Sequence, residues 1–263
     1  MESARKLLED IARCSIACDI RAGSEAQRAC GLIVGLQTGD AFQLPEPWSG
    51  RIDIAPILFI SSNPSIDPLE KYPDESWEGE LIVDFFQNRF TSKVGWVIDG
   101  LYALRRDGSR TDWVRFWASA RSRASEILQK EKNEIVSGVD FALTEVVHCK
   151  SRNEIGVREA QSFCSNRYLA RVISVAAAEV LVVFGEIAAD AMRRCFGSSI
   201  REVNGLNIAS IGDKTRVVAF LPHPNERGSK KSIEGNIGAS GLSLIREHLK
   251  AKSAREDKSF LES

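Results

Sequence analysis

Two polar side chains in this chain stand at the ends of apolar runs. Ile57-Leu-Phe-Ile-Ser-Ser-Asn-Pro-Ser65 stops in a small-residue turn carrying one amide, Asn63, and Arg216-Val-Val-Ala-Phe-Leu-Pro-His-Pro-Asn225 delivers one imidazole, His223, between two prolines. An amide oxygen can hold a water but takes up no full proton, whereas an imidazole titrates near neutrality and can donate to a growing charge. A third run, Thr144-Glu-Val-Val-His-Cys-Lys-Ser151, carries the acid Glu145. Six cysteines complete the set of reactive groups, and without a signal peptide they argue for free thiols, catalysis or metal rather than a disulfide framework.

Something must position these groups. Short apolar runs bounded by turn residues are expected to be buried strands of a parallel sheet, and ligands sit beyond the carboxyl ends of such strands. Asn63 and His223 are therefore expected to share one pocket. Strands are predicted at 56–62, 139–149 and 180–184, with a hairpin of 207–211 and 216–221 ending in the last core strand. Helices are predicted at 2–20, with Leu7, Ile11, Cys14 and Cys18 on one stripe, at 157–178, from Gly185 onward, and at 239–252. Residues 63–135, mainly helical and irregular, hold most of the aromatics. Alternating strands and helices imply an α/β fold, a three-layer α/β/α sandwich with a mostly parallel sheet of about four strands. Residues 1–252 are expected to form one domain, and 253–263 a frayed, charged tail.

The chain has 263 residues, 43% hydrophobic and 27% charged, enough to bury a sizeable core. Its N-terminus lacks a long apolar core and no window approaches the roughly 18 apolar residues of a spanning helix, so a cytoplasmic protein without membrane contact is expected. Net charge is −1, which makes any nucleic-acid contact local rather than global.

In order and spacing, the three strand ends Ser61-Ser-Asn-Pro-Ser65, Thr144–Ser151 and Leu221-Pro-His-Pro-Asn225 resemble the motifs of the uracil-DNA glycosylase superfamily. Val147-His-Cys-Lys-Ser-Arg-Asn-Glu154 with Cys164-Ser-Asn-Arg-Tyr-Leu169 and Val182-Val-Phe-Gly-Glu-Ile-Ala188 look most like its iron–sulfur branches. The likeness spans roughly residues 10–250 but is strong only at these motifs. It implies an N-glycosyl hydrolase, a monomer acting on DNA that carries an abnormal base. Asn63 would position the attacking water and His223 would donate to the departing base as its charge grows. Ser62 and Glu145 would face the base.

Glu145 departs from the family pattern, because the uracil-specific branches carry an asparagine at this place. A carboxylate would set a like charge against uracil O4 but can accept from the N4 amine of cytosine, so a cytosine derivative is the expected substrate. Hypermodified cytosines of phage genomes would qualify, which sets antiviral defence beside repair. Ordinary uracil removal is the alternative within the class, and a catalytically silent DNA- or nucleotide-binding module the alternative outside it.

The resemblance further implies a 4Fe-4S cluster on Cys14, Cys18, Cys149 and Cys164. Cys14-Ser-Ile-Ala-Cys18 has three intervening residues where the family has two, and Cys30 could replace either member; Cys195 is spare. The loop after His223, with Arg227, Lys230 and Lys231, is expected to enter the minor groove, and Lys150 and Arg152 to contact phosphates. Trp77 is the expected platform for the flipped base, with Phe86 and Phe90 as competitors.

Overall fold

The structure, a computed structural model, describes residues 2–23, 28–37, 42–226 and 231–261, with Arg28 and residues 252–261 described by their backbone alone. The chain runs α1 (Ala4–Ala12), α2 (Ser15–Arg21), α3 (Arg28–Gly35), β1 (Ile57–Ser61), α4 (Gly79–Asn88), β2 (Val97–Ile98), β3 (Tyr102–Ala103), α5 (Arg115–Leu128), β4 (Ala142–Glu145), α6 (Val157–Val175), β5 (Val180–Phe184), α7 (Gly185–Phe196), β6 (Ile200–Val203), β7 (Leu206–Ile211), β8 (Lys214–Leu221) and α8 (Ile233–Leu261).

The sheet order is β4-β1-β5-β8-β7-β6. The first four strands are parallel, and β7 and β6 extend the sheet antiparallel beyond β8. Alternation along β1 explains the layers. Leu58 and Ile60 face a core shared with α1, α3, α4, α6 and α7, whereas Ile57 and Phe59 face a second core shared with α5 and α8. Both faces are covered, so every residue of β1 and β5 is buried and the strands are continuous apolar runs. The fold is thus the expected three-layer α/β/α sandwich, with six strands rather than about four. The strand absent from the sequence expectation, β6, is Ile-Arg-Glu-Val with three exposed residues, too polar and short to stand out.

Arg216 fixes the sheet to its helical layer. Its guanidinium is fully buried and donates to the carbonyls of Ile173, Ala176, Ala178 and Ile211 at 2.8–3.2 Å. Two of these lie at the C-terminal end of α6, whose free carbonyls attract a cation.

Three expected boundaries move. The first helix is broken at Cys14, whose ψ of 116° is not helical, so the single stripe does not continue and Cys18 turns outward. The second predicted strand keeps regular pairing only to Glu145, after which Val146 and Val147 still donate to the Ser61 and Ser62 carbonyls at 3.0 Å as the chain turns away. Gly238, at φ +76°, kinks α8, which runs past the expected boundary at 252 to Leu261. Among the described residues no helix is long and apolar enough to cross a membrane.

Candidate active site and a cysteine-lined cavity

The strand ends meet as their sequences require. Ser61 pairs with Glu145 across β1 and β4, and Phe184 with Leu221 across β5 and β8, so Asn63, Glu145, Gly185 and His223 emerge along one rim. Strand order reverses between β1 and β5, the usual place for a crevice in an open parallel sheet. A cavity of about 1000 Å³ opens there, lined by Ser62, Asn63, Glu145 and His223 together.

Asn63 and His223 are each held in one orientation. The Asn63 amide donates from Nδ2 to the Pro64 carbonyl at 2.9 Å, which leaves Oδ1 as its free acceptor. His223 Nδ1 accepts from the Asn225 backbone N–H at 3.3 Å. Burial lowers the imidazole's pKa, against the opposing pull of Glu154 and Glu226, so the ring is neutral near pH 7 and its proton sits on Nε2. A neutral ring bonded in this way has one donor to offer the cavity. Gly185 makes room for it: at φ +78°, a Cβ there would lie 3.2 Å from His223 Cβ.

Glu145 stands on a buried ionic floor. Arg89 donates to Glu46 at 3.0 Å and also to Glu70, and Lys150 donates to Glu70 at 2.9 Å. Ser49 and Tyr72 hydroxyls donate to Glu46 at 2.7 and 3.0 Å. Two carboxylates and two cations balance, and Glu145 is the odd acid. Burial, reinforced by the charge of Glu46, pushes its pKa well above the usual carboxylate range. Burial acts on Glu46 in the same sense, but Arg89, Lys150 and the two hydroxyls outweigh it and hold that group ionised. For Glu145 the direction favours the protonated acid, one O–H donor beside one acceptor, and Oε2 has no hydrogen-bond partner among the described residues. A protonated Glu145 would set no like charge against uracil O4.

A pH signature follows. Between the usual carboxylate range and the raised pKa, folded Glu145 keeps a proton that the unfolded chain has lost, so this group makes stability fall as pH rises, by up to about 1.4 kcal/mol per unit. Glu145→Gln cannot titrate. Its melting temperature relative to wild type should climb as buffer pH is raised from 5 to 8; a constant difference would show that Glu145 is ionised when folded.

Several expected site residues lie elsewhere. Trp77 packs edge-on against Phe85 at 5.8 Å and does not line the cavity. Phe86 is fully buried, and Phe90 packs on Trp117 at 5.2 Å. Phe116, Trp117 and Phe184 supply the aromatic wall instead, Phe184 being stacked on Phe59 at 5.4 Å. Lys150 cannot reach an external phosphate, because its ammonium is buried on Glu70 and lies 3.6 Å over the Tyr72 ring. Lys231 turns back to donate to the Pro224 carbonyl at 2.5 Å. Arg227 and Lys230 lie outside the described residues. Glu46, Glu70 and Arg89 were not legible as site residues, since they come from irregular segments or a helix end. Glu154, whose carboxylate accepts from Ser62 Oγ at 2.5 Å, carried only the signal of lying within the second motif.

On the other side of the central strands, Cys14, Cys30, Cys149 and Cys164 line a second, small cavity of about 20 Å³ with Ile11, Ala17, Phe163 and Tyr168. Cys18 is exposed and lies outside it, whereas Cys30 lines it. Burial pushes the Cys30 thiol up to about 11 and Cys164 to about 12, and raises Cys149 strongly as well. Such thiols ionise only when a metal centre supplies the missing positive charge. Tyr168 donates to Cys14 Sγ at 3.3 Å. Among the described residues no group of three or more His, Cys, Asp or Glu is arranged to hold a single metal ion. Four soft sulfurs around an apolar hollow fit an iron–sulfur cluster by donor type.

Neither a family model nor a curated protein matches this chain.

Proposed function

We propose that the protein is a monofunctional DNA glycosylase that flips out and hydrolytically excises an abnormal or modified pyrimidine, leaving an abasic site. The observation that carries this is the convergence of Asn63, Glu145 and His223, from three separate strand ends, on one cavity. Hydrolysis of an N-glycosidic bond builds positive charge on the sugar and negative charge on the base. Asn63 Oδ1 holds water on the sugar side, and the neutral His223 donates from Nε2 to the base carbonyl. Phe116 and Trp117 stack on the extruded base. Arg105 and Arg158 at the rim give cations for the flanking phosphates.

A cytosine derivative remains the favoured substrate. The cavity is at the upper end of the about 300–1000 Å³ that holds a drug-sized ligand, more than a bare pyrimidine fills, and its floor offers Lys150, Arg89 and Glu46 beyond the edge met by Glu145. Modified cytosine in phage DNA fits such a pocket, making antiviral defence the favoured role over repair. The protonation of Glu145 also supports uracil: its O–H can donate to O4 while its carbonyl accepts from N3–H, or donate to cytosine N3 while the carbonyl accepts from N4. Incubating the protein with oligonucleotides carrying uracil, cytosine and substituted cytosines, and with modified phage DNA, tests the proposal through alkali-labile abasic sites. Release of modified cytosine in preference to uracil is expected. DNA binding without base release would identify a silent binding module instead.

A structural 4Fe-4S cluster on Cys14, Cys30, Cys149 and Cys164 belongs to this proposal, as does a monomer in a cytoplasm that keeps its thiols reduced. It would fasten α2 and α3 to α6 and the loop after β4. Protein expressed with iron should be brown, absorb broadly near ~400 nm and hold about four irons. Cys30→Ala should abolish the colour while Cys18→Ala leaves it. The opposite pattern would restore Cys18 as the ligand, and colourless protein in every case would remove the cluster.

A further inference from the structure

Asn63 cannot take a proton from water, so hydrolysis in this cavity needs another acceptor. Of the eight carboxylates lining it, four are set aside by their surroundings. Glu46 and Glu70 are paired with Arg89 and Lys150, Asp67 faces Arg105 at 3.7 Å, and Glu145 is buried on the floor, where burial favours its protonated form. Glu154 is placed differently. It stands exposed at the rim, yet its Oε1 accepts a hydrogen bond from the Ser62 hydroxyl at 2.5 Å, and the same hydroxyl oxygen lies 3.5 Å from Asn63 Oδ1. Ser62 has one proton, and the shorter contact claims it. Asn63 Oδ1, already turned outward by the Nδ2 bond to Pro64, thus stays open to a water within reach of the Glu154 carboxylate.

The backbone is shaped around this placement. Asn153 and Glu154 both adopt φ near +55°, an uncommon pair for residues other than glycine, and such strain persists only where surroundings impose it. The imposing contacts are the Ser151–Ser65 bridge, Ser151 N–H to the Pro64 carbonyl at 3.0 Å and Ser151 Oγ to the Ile155 carbonyl at 2.6 Å. They tie the Glu154 turn directly to the Asn-Pro turn.

We infer that Glu154 is a catalytic residue, the general base that takes the proton of the water held by Asn63 Oδ1. This rests on the glycosylase proposal. The water oxygen forms a bond to C1′ of the deoxyribose as the bond from C1′ to the base nitrogen breaks. The electron pair of that bond leaves with the base, whose carbonyl accepts from His223 Nε2–H. The water proton passes to Glu154, and the base is protonated from solvent after release. Arg158 of α6, Glu186 of α7, and His223 and Glu226 of the segment after β8 line the same cavity as Glu154, and the charges of Glu154, Glu226 and Lys231 all act on His223.

The experiment measures single-turnover base release from the best DNA substrate between pH 5 and 9 for wild type, Glu154→Gln and Glu154→Ala, with melting temperatures as a folding control. Glu154→Gln is expected to be slower by about 10²–10⁴, the usual worth of a positioned proton acceptor, and to lose the acid limb of the wild-type pH profile. Formate should restore part of the rate to Glu154→Ala and none to Glu154→Gln, whose amide fills the space. Rates within about threefold of wild type would overturn the inference, as would a slow Gln variant that keeps the acid limb and an Ala variant deaf to formate, which together describe a residue that merely braces Ser62. A wild type inert toward every DNA overturns the glycosylase proposal itself, and the inference with it.

Discussion

His223→Ala is expected to slow base release at least about a hundredfold while the protein melts within a degree or so of wild type. The ring is half-buried in a turn, and the Asn225 N–H that donates to its Nδ1 can be satisfied by water instead. What disappears is a donor aimed at a charge that grows only in the transition state, so the loss falls on the chemical step rather than on binding. The tautomer sharpens the expectation. A glutamine amide nitrogen can occupy roughly the place of Nε2, whereas an asparagine amide nitrogen overlays Nδ1, so His223→Gln should recover more of the rate than His223→Asn. Equal rates for the two, or a well-folded alanine variant near wild-type speed, would show that His223 donates nothing. Asn63→Ala should cost a comparable factor, read in the same single-turnover assay.

Arg89→Met should give the largest loss of stability of any single change in the site. Arg89 is 3% exposed and joins Glu46 and Glu70, with its guanidinium 4.9–5.4 Å from the centres of the Tyr72, Phe85 and Trp117 rings. Removing it leaves one buried negative charge uncompensated, and breaking a buried pair in this way costs about 3–5 kcal/mol. For a chain of this size that is a fall of roughly 10 °C in melting temperature. The direction with pH also follows: without Arg89 the native chain binds a proton that the unfolded chain releases, so the deficit should deepen as pH rises. Glu46→Gln added to Arg89→Met should recover part of the loss. A single variant as stable as wild type would mean that the network contributes no net pairing.

The parts of this molecule that were legible in the sequence are those where chemistry and local pattern coincide. Asn63, Glu145 and His223 each follow an apolar run, and such runs have one meaning in a sheet covered on both faces. Ser61 and Glu145 then become neighbours through register. What was not legible depends on distances across the fold. Trp77 seemed well placed by its distance along the chain from Asn63, but it precedes α4 and packs, partly buried, against Phe85 of that helix, and α5 supplies Trp117 instead. Lys150 sits one residue past an apolar segment, where exposure is usual, yet Glu70 and Tyr72 arrive from a loop to bury it. Cys18 lay on the expected stripe only while the first helix was continuous; after the break at Cys14 it is exposed, and Cys30 lines the small cavity. The protonation of Glu145 was hidden for the same reason, since it depends on counting charges contributed by four separate segments.

The segment that carries Glu46 has a second consequence, for the behaviour of the molecule in a crowded solution. β4 is an outermost strand, and a bare outer strand offers a row of unpaired amides to any extended chain nearby. Here Ser49 exchanges backbone hydrogen bonds with Leu143 at 2.8 and 3.0 Å, Glu46 N–H donates to the His148 carbonyl at 2.8 Å, and the Thr144 hydroxyl donates to Pro47. The opposite margin, β6, is four residues long and shows Arg201 and Glu202 to solvent, a poor template for strand addition. Both margins are thus guarded, one by covering and one by charge. A lesion that dislodged residues 42–49 would therefore do more than empty the floor of the cavity: it would uncover an adhesive border, and the damaged chain would precipitate before its lost activity could be measured.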